Sequence, residues 1–213
     1  MACSFPAAAE RLEGTNSDAA SVDGVTRTMP GVVEGDFFND GFFRSITFDG
    51  SEPNFGSGEV LDVDLMIDFR KAPEADPFNN PKFAEIGFAL ESPTGSVVEL
   101  VPLGTFSNDP SFDDVTFDGV MSFDDSAATS VLSLSAPAVG TFQPAGLLSS
   151  FISENALGEW KLFIEDDLGG HPLEFAAFTL SVETAIIPEP ASVVCALLAF
   201  CSLLVFYRRL RIV

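Results

Sequence analysis

Cysteine, histidine, tryptophan and tyrosine are all scarce in this chain, and each scarcity removes a class of chemistry. Three cysteines occur in 213 residues. Cys195 and Cys201 fall inside an apolar run near the C-terminus and Cys3 stands alone. No disulfide framework and no Cys-x-x-Cys metal or redox site can be built from them. A single histidine, His171, excludes any centre that needs several imidazoles. It follows Gly169-Gly170 and precedes Pro172, so it reads as a surface-loop histidine. No Gly-x-Ser-x-Gly elbow, His-Glu-x-x-His helix or phosphate-binding glycine loop occurs. Carboxylates are so numerous that no glycosidase-type pair stands out. The chain therefore reads as non-enzymatic. Basic side chains are few as well: 10 Lys+Arg face 32 Asp+Glu, a net charge of −22. That charge repels nucleic acid and anionic surfaces.

Phenylalanine is abundant, with 22 copies against one Trp and one Tyr, which points to a core built on Phe. Setting the apolar tail aside leaves about 185 residues, enough for one ordinary domain with its own core. The stretch EVLDVDLMIDFRKA places Leu61, Val63, Leu65, Ile67 and Phe69 on one face, and Asp62, Asp64, Met66, Asp68 and Arg70 on the other. Such period-two alternation marks a half-buried strand. AEIGFALES repeats it with Ile86, Phe88 and Leu90. Ser92-Pro93-Thr94-Gly95 then supplies a turn and SVVELV a further strand. GEWKLFIED alternates Trp160, Leu162 and Ile164 against Lys161, Phe163 and Glu165, and AFTLSVET alternates Phe178, Leu180 and Val182 against Thr179, Ser181 and Glu183. The turn-rich DDLGGHPLE between them predicts a hairpin of the last two strands. PAGLLSSFISENALG holds at most a short helix or a turn. Short strands with Gly/Pro/Asp turns predict an antiparallel β-sandwich over residues 31–184, with residues 1–30 poorly ordered. The adjacent pairs Phe37-Phe38 and Phe42-Phe43 either expose one ring each as a contact surface or lie on a central strand buried on both faces, the reading preferred here.

One resemblance runs through this half. In order come LESPTGSVVELV, Phe123-Asp124-Asp125, Pro137 to Pro144, Leu148 to Phe151, Gly158-x-Trp160-x-Leu162 with Asp166-Asp167 behind it, and a closing strand. This order resembles the P domain (P/Homo B domain) of proprotein convertases and bacterial subtilases. The closing hairpin departs from the family pattern at Leu173-Glu174-Phe175 and Phe178. The resemblance implies a jelly-roll-like, galactose-binding-like β-sandwich that accompanies a serine protease and is not itself catalytic.

The C-terminus carries a second resemblance. Ala191 to Tyr207 is 17 residues without a charge. As a helix it would span about 25 Å, a little short of a bilayer core but within the usual length range. Arg208, Arg209 and Arg211 behind it predict a cytoplasmic C-terminus, with the inner membrane as contact and residues 1–190 outside. Pro188-Glu189-Pro190, the apolar run and the basic end together resemble the PEP-CTERM sorting signal. That resemblance implies export, recognition by an exosortase and a place at the cell surface. The segments expected are a 185–190 sorting linker and a 191–213 transmembrane helix with a basic tail. The first fourteen residues lack a basic n-region and an apolar h-region, so a signal peptide encoded upstream of Met1 is expected.

Calcium is the one cofactor the loops suggest, because hard cations take several oxygen ligands. Asp124 and Asp125 lead the candidates, with Asp118, Asp166 and Asp167. The plain alternative is an acidic surface with carboxylates in every loop. Three functions follow from these readings. The first is an exported, exosortase-sorted surface or matrix protein in contact with exopolysaccharide. The second is an accessory module of a subtilisin-like protease, in cis or in trans. The third is a permanently tail-anchored structural protein.

Overall fold

The computed structural model describes residues 9–25, 42–51, 58–73, 82–107, 115–167 and 169–185. Strands form where the alternation is clean. They are β1 (Ala9–Asn16), β2 (Ala20–Val22), β3 (Phe42–Phe48), β4 (Val60–Lys71), β5 (Ile86–Glu91), β6 (Val97–Val101), β7 (Phe117–Phe123), β8 (Gly140–Phe142), β9 (Gly158–Asp166) and β10 (Leu173–Ala185). Among the described residues, short 3-10 turns accompany them at Phe83–Glu85, Val131–Ser133 and Leu148–Phe151. One sheet has six strands in the order β1-β10-β4-β7-β8, with β2 also on β10; the other has four, β3-β9-β5-β6. The long β10 is an interior strand, pairing antiparallel with β1 and β2 on one side and β4 on the other.

The core lies between the sheets. Val63, Leu65, Ile67 and Phe69 of β4 meet Ile86, Phe88 and Leu90 of β5 and Trp160, Leu162 and Ile164 of β9 in one buried cluster. The Phe69 and Phe88 rings join the two sheets edge to face, 5.1 Å apart. Each such side chain removed from water contributes roughly 1.5–3 kcal/mol. Phenylalanine fills the space between the sheets without a polar atom to satisfy.

Several expectations are corrected. Leu61 was placed in the core, but it is 36% exposed and Val60 is buried instead. The register against β10 shifts between Glu183 and Thr184, so Leu61 is the extra residue of a bulge and turns outward. The last two strands are not a hairpin. β9 pairs with β3 and β5 while β10 lies in the other sheet, so the loop after Asp166 crosses between sheets. The N-terminal segment was expected to be poorly ordered, yet Ala9–Asn16 pairs with β10 along its whole length. Leu12 and Val22 are buried, and that apolar face holds the segment on the sheet. Among the described strands the pairing of β7 with β8 is parallel, continued by a Ser130–Gln143 bridge, because the chain travels through the Val131–Ser133 turn before returning. Phe42-Phe43 sits on the edge strand β3 and not on a central one; Phe43 is 40% exposed and leans on Phe163. Phe37-Phe38 lie outside the described residues.

The expected fold class joined a sandwich to a C-terminal transmembrane helix, and that is corrected too. The described chain is all-β, and among the described residues no helix is long and apolar enough to cross a membrane. Residues 186–213, with Pro188, Glu189, Pro190, Arg208, Arg209 and Arg211, lie outside the described residues.

Candidate functional site

At one end of the sandwich the segments 92–95, Leu148–Phe151 and 158–160 come together with Asp125. The Ser92-Pro93-Thr94-Gly95 turn closes β5 to β6, with the Gly95 N–H donating to Ser92 O at 2.9 Å and Gly95 at φ +88°. Ser92 Oγ and Thr94 Oγ1 both donate to Glu154 Oε2 at 2.5 Å. Burial works against the charge on Glu154, but hydrogen bonds from Ser92, Ser96 and Thr94 hold its carboxyl below the usual range. Ser153, at φ +70°, turns the chain so that Glu154 reaches this position. Gly158 opens β9 directly against Pro93: a Cβ there would lie 2.8 Å from Pro93 Cβ, and φ is +123°. Two residues on, Trp160 is fully buried, donates from Nε1 to Ala156 O at 2.9 Å, and meets Phe151 edge to face at 5.2 Å.

Phe151 ends the Leu148–Phe151 turn, whose free N–H groups need acceptors. Asp125 provides them: Leu148 N donates to Oδ1 at 2.9 Å and Ser149 N to Oδ2 at 2.8 Å. Asp124 shapes its own loop, accepting from Ser126 N at 2.6 Å and Ser126 Oγ at 2.9 Å. Each segment therefore supports the next through hydrogen bonding or packing.

The opposite end is closed by charge. Lys71, the last residue of β4, is fully buried. Its Nζ lies 2.7 Å from Asp166 Oδ1, at the end of β9, and 3.6 Å from Glu85 Oε2. Asp166 Oδ2 also accepts from Leu173 N at 2.9 Å, which fastens the start of β10. Burial pushes the Asp166 carboxyl up to about 7, against the pull of Lys71 and with a push from Glu85. Burial raises Glu85 as well, against Lys71 and Lys82. Two buried carboxylates share one buried ammonium here, so the group holds a proton more readily than free acids would. His171 was expected on the surface but is 3% exposed, and its Nε2 has no hydrogen-bond partner. Glu85 Oε1 has none either, with Lys82 Nζ 3.7 Å away. Sequence reasoning missed Lys71 and Glu85. The β4 alternation, continued two residues past Phe69, was the available signal.

A groove of about 230 Å³ lies on the outer face of the six-stranded sheet. Thr179, Met66, Ser122 and Thr141 form one row across β10, β4, β7 and β8. Asp64 stands opposite Ser181 in the next row, and Arg11 of β1 and Asp124 complete the walls. Burial, then Asp62 and Asp124, raise the Asp64 carboxyl, while Arg11 lowers it.

The aspartates named for calcium do not gather. Asp118 faces Arg70, with Nε and Oδ2 3.8 Å apart; Asp124 and Asp125 serve the turns described above; Asp166 is buried on Lys71; Asp167 is exposed beyond β9. Among the described residues no three His, Cys, Asp or Glu side chains are grouped to hold a metal ion.

No known protein family matches the chain, and no curated protein does. Among solved structures it is similar to the serine protease of Aeromonas sobria. The match is at 12% identity and a TM-score of 0.44, over 84% of this chain and 27% of that one. The complex of that protease with the chaperone ORF2 gives 11% identity, the same TM-score and the same coverage. FlhE gives 15% identity and a TM-score of 0.32, over 81% of this chain and 97% of that one. This chain thus spans about a quarter (27%) of the length of the Aeromonas protein. At these values the similarities assign neither a fold family nor a function.

Proposed function

We propose that this chain is a non-catalytic β-sandwich module accessory to a subtilisin-like serine protease, carried on the same polypeptide or bound in trans. The observation that carries this reading is the interlocked end of the sandwich. Segments recognised separately as P-domain-like in the sequence meet in space. The Ser92-Pro93 turn rests on Gly158 and Glu154, Trp160 on Phe151, and the turn of Phe151 on Asp125. Their mutual dependence supports reading them as one module. These residues are used in holding the fold, which suits a stabilising or docking role and leaves the chemistry to a partner.

The test uses a fluorophosphonate probe, which labels serine hydrolases through the active nucleophile. The tagged chain is expressed in its native host, crosslinked and purified. A labelled species that carries or co-elutes with the chain and is identified as a subtilisin-like protease is the expected result. Recovery of the chain with no labelled species overturns the reading.

A second reading rests on Pro188-Glu189-Pro190 in the sequence: an exported surface or matrix protein processed by an exosortase. It is compatible with the first. Replacing both prolines with alanine in a host that has an exosortase leaves the full-length mass if the motif is recognised. Identical mature masses for variant and wild type remove this reading.

A further inference from the structure

We propose that the groove on the outer face of the six-stranded sheet is a saccharide site, which seats a neutral sugar unit over Met66 between Asp64 and Arg11. The lining decides the chemistry. Ser122, Thr141, Thr179 and Ser181 bring hydroxyl side chains to the groove from β7, β8 and β10. A hydroxyl can donate or accept, as a sugar hydroxyl can, so each pairing can be made without a charge. Asp64 and Asp124 add acceptors for sugar O–H groups, and Arg11 adds a planar set of donors for neighbouring oxygens.

Charge narrows the choice. Two carboxylates in the lining oppose an anionic ligand. Arg11, which also lies 3.6 Å from Glu13, offsets one of them. A neutral polyhydroxyl ligand satisfies both signs at once. Met66, 45% exposed, offers the apolar surface on which the C–H face of a sugar ring can lie. At about 230 Å³ the groove is smaller than the ~300–1,000 Å³ typical of drug-sized pockets, which suits one sugar ring of a longer chain lying across the sheet. The alternation of β4 explains how such a groove can exist. Leu65 and Ile67 hold the strand in the core, leaving Asp64 and Met66 free on the other side.

This site shares only the Asp124 loop with the interlocked end that carries the protease-accessory reading, and the variants lie outside that loop, so the two experiments fail independently. The probe is a panel of neutral tetra- to hexasaccharides from β-glucan, mannan, xylan and galactan, titrated calorimetrically against the full chain. Two variants test the placement. Asp64→Asn removes one charged acceptor, and Thr141→Trp fills the groove from an exposed position. Thermal melts check that both fold. The expected result is at least one saccharide bound by the wild type and weakened about tenfold or more by each variant, the loss that goes with one hydrogen bond to a charged group. Three outcomes overturn the proposal: no saccharide bound at millimolar concentration, binding unchanged in both folded variants, or a lysine-rich peptide bound in place of any sugar.

Discussion

The two ends of this sandwich are closed by different physics. At the Trp160 end, packing and short hydrogen bonds do the work: an indole on a phenyl ring, a glycine under a proline, a glutamate gripped by hydroxyls. At the Lys71 end, an ammonium and two carboxylates are buried together between the strand ends. The first end is held mainly by packing, and its one shifted carboxyl, Glu154, loses its hydrogen-bond support only as pH falls into the acid range. The second balances a large desolvation cost against a close ion pair, so its contribution depends on who holds the protons. The difference shows that one fold can be stiff at one end and titratable at the other.

The largest expected effects break each end in turn. Trp160→Ala removes a fully buried ring, its contact with Phe151 and its bond to Ala156 O. It should cost ~3–5 kcal/mol in denaturant unfolding. Lys71→Ala should cost about as much, ~3–5 kcal/mol, for another reason: it strands Asp166 and Glu85 without a counter-charge. The paired change Lys71→Met with Asp166→Leu, made on a Glu85→Gln background so that no carboxylate is left buried without its counter-charge, separates the two causes. Replacing both members of a buried pair by apolar side chains should recover most of the loss, whereas no second substitution of that kind repairs Trp160→Ala. A combined variant as unstable as Lys71→Ala would mean the pair's geometry, and not its charge balance, closes that end.

Asp125→Ala is a smaller probe of the Trp160 end. It frees the N–H groups of Leu148 and Ser149 but leaves the ring packing alone. A loss of about 0.5–2 kcal/mol is expected, as for a helix cap. A change near zero would detach Asp125 from the interlocked set.

The two ends were also unequally legible in the sequence. Ser92-Pro93-Thr94-Gly95 is a local signal, since turn chemistry is written within four residues. Trp160 and Phe88 follow from alternation, which needs no knowledge of partners. Lys71 also follows from alternation, but a lysine at that point argues for an exposed strand end, because lysine is rarely buried unless paired. Its partner Asp166 lies 95 residues away, and nothing local announces the pairing. His171 misled for a similar reason: the flanking glycines and proline describe the loop's backbone and not the neighbours it folds against. Leu61 turned outward because a bulge adds one residue, which a period-two pattern cannot contain. The groove was illegible because its row of Thr179, Met66, Ser122 and Thr141 draws one residue from each of four strands.

Thermal unfolding against pH tests the contrast most directly, with wild type compared to Glu85→Gln. Asp166 titrates near 7 in the fold and near 3.8 when unfolded, and Glu85 is shifted in the same direction. The folded state therefore binds more protons, and the stability this lends is complete below the unfolded value and lost as pH rises through about 7. Glu85→Gln removes the surplus carboxylate and keeps the Lys71–Asp166 pair. Between pH 5 and pH 8 both Tm values should fall, because both proteins keep Asp166, and the wild type should fall further because it also carries the raised Glu85 carboxyl. Parallel profiles for the two proteins would contradict the account of a charge-closed, titratable end.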